Sequence, residues 1–199
     1  AVNPTFTIDK AGTYVVSLMI NDGTVNSNQA DTVTISTLNS APVANAGPDQ
    51  SPHVTEVVTL NSAGSSDVDG DLLTYTWAFT AKPAGSTAAL SDSHAVNPTF
   101  TVDKAGIYVV SLIVNDGTVD SNQPDTVTIS TLNSAPVANA GADQAPRVTE
   151  VVTLNGAGSS DVDGDLLTYT WAFTRTAAGS TAPLSDANAA NPIFRVDKK

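Results

Sequence analysis

The stretch GSSDVDGDLLTYTW, running from Gly64 to Trp77, returns without a change at Gly158 to Trp171. Each copy sets three carboxylates within five residues, Asp67, Asp69 and Asp71 and then Asp161, Asp163 and Asp165, with Gly70 and Gly164 between them. The acidic turn runs straight into alternating residues, so that Leu73, Tyr75, Trp77 and Phe79 can point one way and Thr74, Thr76 and Ala78 the other. Spacing of two is the pattern of a strand with one buried face. The charge cluster is therefore expected at a defined pole of a β domain.

Working outward, the repeat extends over the whole chain. Residues 1–40 match 95–134 and residues 41–100 match 135–194, with a period of 94 residues, as from Asp22 to Asp116 or Pro42 to Pro136. The divisions expected are 1–40, the C-terminal half of one domain; 41–134, a complete domain; and 135–199, the N-terminal portion of a third. Within the complete unit, Pro42 opens an extended entry. Strands are expected at Thr55–Leu60, Leu72–Thr80, Asn97–Val102, Tyr108–Val114 and Thr126–Thr131, with a short edge strand in the loop after Pro83. Asn115-Asp116-Gly117 is a strong turn signal. Short strands with regular turns make an all-β chain of tandem immunoglobulin-like β-sandwiches.

Composition agrees with this. The 199 residues are 41% hydrophobic and only 14% charged, the proportions of a globular chain. A formal net charge of −12 repels nucleic acid and anionic lipid and favours cations. No cysteine is present, which removes disulfides, thiol catalysis and thiolate metal sites. The longest nearly apolar run, Ile107 to Val114, is too short to span a bilayer, so no membrane insertion is expected in this segment.

The words PVANAG at Pro42, GSSDVDGD at Gly64, LTYTW at Leu73, NPTF at Asn97, AGIYVVSLIVNDG at Ala105 and DTVTI at Asp125 resemble the PKD domain, the immunoglobulin-like module of polycystin and of many bacterial surface and secreted proteins. The resemblance covers the chain from end to end. One departure is Trp77-Ala78-Phe79-Thr80, where many PKD domains read WDFGDG, so no ligand role tied to that aspartate is carried over. In bacterial collagenases PKD domains bind calcium, and the resemblance implies calcium ligands at Asn39, Ser40, Asp67, Asp69 and Asp116.

The residue chemistry points the same way. In an immunoglobulin sandwich the segments around Asn39-Ser40, the acidic turn and Asn115-Asp116-Gly117 share one pole, and all carry the hard oxygen ligands that calcium takes. The next copy offers Asn133, Ser134, Asp161, Asp163 and Asp165, and Asp22 is the counterpart of Asp116 in the first. An EF-hand is excluded, because the twelfth position after Asp67 is Ala78 and no helices flank the turn. A solvated turn whose aspartates cap local N–H groups is the competing reading.

Catalysis has little support. His53 becomes Arg147 and His94 becomes Asn188 in the next copy, and a tight Asp-x-Asp-x-Asp turn lacks the separated carboxylates of a glycosidase. The expected role is a calcium-stiffened spacer of an extracellular or cell-surface protein, in a stalk, filament or adhesin. The alternative is an ancillary binding-module array of a secreted hydrolase. The expected partners are neighbouring copies of the repeat, including head-to-tail self-assembly into a filament. The outward set Ile107, Val109, Ser111 and Ile113, matched by Thr13, Val15, Ser17 and Met19, marks a second candidate contact face.

Overall fold

The computed structural model describes residues 3–198 and contains, among them, strands but no helix. The strands are β1 (Thr13–Leu18), β2 (Asp31–Ser36), β3 (Val57–Thr59), β4 (Thr74–Ala81), β5 (Thr99–Thr101), β6 (Ile107–Asn115), β7 (Asp125–Ser130), β8 (Val151–Thr153) and β9 (Ile193–Arg195). All pair antiparallel, as β1-β2, β3-β5, β4-β6-β7 and β8-β9. The chain divides into two compact units, and the sequence repeat does not set their limits. One unit comprises Ala1–Gln50, Val57–Thr101 and Ile107–Ser130; the other comprises Ser51–Glu56, Val102–Gly106 and Thr131–Lys199.

In the first unit, β6 is the central strand of a three-stranded sheet because it is the longest run of strictly alternating β-formers. Tyr108, Val110, Leu112 and Val114 are wholly buried, as are Val127 and Ile129 on β7. Trp77 stands opposite Leu112 in the β4–β6 register and is buried, while Tyr75 and Phe79 beside it are half-buried. A bulge between Phe79 and Ala81 shifts the register, and Ala81 then pairs with Val109. The β3–β5 pair contributes Val58 and Phe100, and the ladder continues through Leu60 N–H to Pro98 C=O.

Aromatic rings close the two sheets upon each other. Phe79 meets Phe100 edge-on at 5.0 Å, and Phe100 lies 5.5 Å from Tyr108. The Trp77 indole N–H donates to Ala95 C=O at 3.1 Å, which satisfies the one polar atom that burial would otherwise penalise. Each such side chain removed from water contributes about 1.5–3 kcal/mol. Residues 41–50 switch sheets: Val43 bridges Ser66, and Gln50 bridges Ile129 in parallel.

Three expectations are corrected. The loop after Pro83 forms a turn and no edge strand, Ser86 N–H donating to Pro83 C=O at 3.0 Å. In the second unit, Thr168 to Phe173 keeps the alternation of its copy but pairs with no strand. The reason is physical: β4 forms by pairing with β6, and among the described residues no strand lies alongside Thr168 to Phe173. The outer face of β6 is also less open than expected, Ile107 being exposed but Val109 and Ile113 half-buried.

Candidate metal centre and repeat joint

Asp67 organises the acidic turn. Its Oδ1 accepts the backbone N–H groups of Asp69, Gly70 and Asp71 at 2.8, 3.0 and 3.3 Å, a carboxylate folded over the chain that follows it. Such a wrap needs a residue with positive φ, and Gly70 supplies it at +85°. The copy repeats the arrangement: Asp161 Oδ1 accepts from Asp163 and Asp165, and Gly164 stands at +85°. In each turn the three carboxylates offer oxygens within 4.8 Å of one another. One carboxylate oxygen per turn, Asp67 Oδ2 and Asp163 Oδ1, is buried and has no donor in reach.

The segment preceding each module is tied to its turn. Ser40 N–H donates to Asp69 Oδ2 at 2.6 Å, and Ser134 N–H donates to Asp163 Oδ2. Asn39 Nδ2 donates to Asp116 Oδ2 at 2.8 Å and also to Ser40 C=O at 3.2 Å. Asp116 is itself buried, its Oδ1 accepting from Thr118 and Val119 N–H at 2.7 Å each. The Val119 N–H, then the Asn39 amide, hold its carboxyl below the usual carboxylate range. Asp22 caps Thr24 and Val25 in the same way, and the Val25 N–H first of all lowers its pKa.

The structure thus brings together Asp67, Asp69 and Asp71, with Asp161, Asp163 and Asp165 likewise, and links Asn39, Ser40 and Asp116 to the first group through hydrogen bonds. Asn133 repeats the contact of Asn39 with the next carbonyl, donating to Ser134 C=O at 3.2 Å. Sequence reasoning missed His53, whose Nδ1 lies 3.2 Å from Ser134 Oγ.

The stretch Thr131 to Ser134 is therefore no free linker. Thr131 N–H donates to Gly106 C=O and Leu132 N–H to Pro52 C=O, at 3.1 and 2.9 Å. Ser134 then reaches His53 with its hydroxyl and Asp163 with its backbone N–H.

The profile of the PKD domain matches residues 39–130 and again 133–185. The chain belongs to the PKD domain family. Tandem PKD modules are immunoglobulin-like β-sandwiches, and the family is one of extracellular, adhesion-type modules. The dyslexia-associated protein KIAA0319 homologue of Mus musculus is 33% identical over 175 residues, covering 82% of this chain and 16% of its own length. The dyslexia-associated protein KIAA0319 of Homo sapiens is 30% identical over 173 residues, with the same coverage of each. The chain thus spans about a sixth of the length of these relatives. Among solved structures, the PKD domain from the KIAA 1837 protein aligns with a TM-score of 0.38 at 27% identity, covering 50% of this chain and 96% of that one.

Proposed function

We propose that this PKD array is a non-enzymatic spacer of an extracellular or cell-surface protein, stiffened at its joints by calcium. One observation supports the reading above the rest. The four residues from Thr131 to Ser134 are all hydrogen-bonded, so the segment joining one repeat to the next has no slack. A module whose work is to keep a chain extended needs such joints, whereas independently acting modules are usually strung on free linkers.

Calcium fits the residues at those joints. Asp67, Asp69 and Asp71, or Asp161, Asp163 and Asp165, would hold the ion, with the buried Asp67 Oδ2 and Asp163 Oδ1 left for a cation to satisfy. A calcium ion takes six to eight oxygens and would neutralise like charges that otherwise repel. Because Asp163 also anchors Ser134, filling its turn would firm the joint together with the fold.

The surface of residues 41–134 offers the hydrolase-appended binding array little support. Trp77, Phe100 and Tyr108 are buried and Tyr75 and Phe79 half-buried, so no aromatic of residues 41–134 is free to stack on a sugar. Melting with calcium and with chelator tests the proposal. Calcium bound only by the native state at one hundred times its dissociation constant contributes about 2.7 kcal/mol. An equal melting temperature under both conditions, with Asp67→Ala also unresponsive, would end the calcium reading; retention on chitin, cellulose or collagen would favour the binding array.

A further inference from the structure

We propose that the segment from Ala46 to Gln50 and strand β7 form a shear clamp that takes tension along the chain, with Asp49 and Asp125 as its side-chain anchors. The inference deepens the spacer reading and rests on it, because a spacer that keeps a chain extended is pulled through its ends.

Tension along an array enters the repeat of residues 41–134 at Ala41 and leaves it at Ser134. The entry segment and β7 run side by side in the same direction, Gln50 standing against Ile129 in parallel. Every other pairing among the described residues is antiparallel. The direction decides how the bonds are loaded. When the first segment is pulled by its N-terminus and the parallel last strand by its C-terminus, one slides along the other. The evenly spaced bonds between them then share the load, instead of opening one after another.

Four hydrogen bonds among the described residues join the two segments. Gln50 N–H donates to Thr128 C=O, and Ser130 N–H donates to Gln50 C=O, both at 3.0 Å. Asp125 of β7 accepts from Ala46 N–H at 2.7 Å, and Asp49 accepts from Thr128 N–H at 2.7 Å. Each segment thus lends a carboxylate to the backbone of the other, and neither aspartate belongs to the acidic turn. Hydrogen bonds to a carboxylate are roughly twice as strong as neutral ones, so the two aspartates supply about two thirds of the clamp. Gln50 Nε2 also donates to Thr59 C=O at 3.0 Å, which fastens the segment to β3. On β7, the wholly buried Val127 and Ile129 key the strand into the core, so it cannot slide without dragging them. Asp143 and Asp31 stand at the matching positions of the other copies.

Single-molecule pulling on the full chain, in chelator, tests the proposal. The chain has no cysteine, so handles can be attached at chosen exposed positions. With handles at Leu38→Cys and Leu132→Cys, both exposed, the load runs end to end through the clamp. Moving the second handle to the exposed Gln123→Cys pulls both segments from their common N-terminal end and peels the same bonds in turn. End-to-end rupture should need several-fold more force than peeling. Forced unfolding follows the unfolding barrier. Asp49→Ala with Asp125→Ala should therefore lower the end-to-end force to about a third of wild type, and the paired asparagine variant, which keeps the acceptor oxygens, should fall between. The comparison of handle positions uses the intact clamp and stands whether or not the alanine variant folds. Equal forces in the two directions would overturn the proposal, as would an alanine variant that ruptures at the wild-type force. Because chelator is present throughout, these results are independent of the calcium reading, which melting tests separately.

Discussion

Leu112 and Leu18 occupy the same place in nearly identical sequence, YVVSL followed by an apolar pair, yet their surroundings differ completely. Leu112 is wholly buried opposite Trp77, and Leu18 is 63% exposed. Leu112→Ala removes the transfer term and leaves a cavity in a close-packed interior, a loss of about 2–5 kcal/mol. In a repeat of this size each kcal/mol lowers the melting temperature by about 4–8 °C, so the variant should melt about 10 °C or more below wild type. Leu18→Ala, in dilute monomer, removes a side chain that is mostly solvated already, and the loss should be about 1 kcal/mol or less. Calorimetric scans of the two variants beside wild type, run at low protein concentration, measure the difference. Equal losses for the two variants in dilute solution would refute the reasoning, for they would mean that the hairpin is covered within a single molecule.

Two further outcomes follow from local geometry. Thr55 and Thr149 both sit at positive φ, 77° and 76°, where a β-branched residue is strained, so Thr55→Asn should stabilise the chain by about 0.5–1 kcal/mol, read as a raised urea midpoint. Asp116 has a folded pKa below its unfolded value of about 3.9, so its contribution is complete above that pH and is lost as the pH falls below it. Melting temperature plotted against pH should drop more steeply in wild type than in Asp116→Asn at the acid end; superimposable curves would rule out that contribution.

Much of this was legible in the sequence because strand burial has a period of two. The run from Leu73 to Phe79 gave its inward face directly, and Tyr108 to Val114 gave the central strand. Other features depended on pairing, which sequence alone does not display. Thr168 to Phe173 has the letters of β4 without its strand, because a strand exists only against a partner. The loop after Pro83 looked able to hold a strand but closes on itself through Ser86 instead. At the candidate metal centre, the three carboxylates of each turn were visible as spacing. The hydrogen bonds from Ser40 and Ser134 to Asp69 and Asp163 were not, because they join residues 29 apart in sequence through a backbone N–H. His53 was missed for a similar reason, since its contact with Ser134 spans 81 residues.

A calcium-stiffened joint is tested most directly by the spread of distances across it. The chain has no cysteine, so spin labels can be placed at will, and Thr76 and Thr170 are equivalent exposed positions in successive repeats. Pulsed-dipolar measurement on the Thr76→Cys, Thr170→Cys double variant should give a single narrow distance distribution in calcium that broadens on adding chelator. A distribution equally broad in calcium and in chelator would contradict the account.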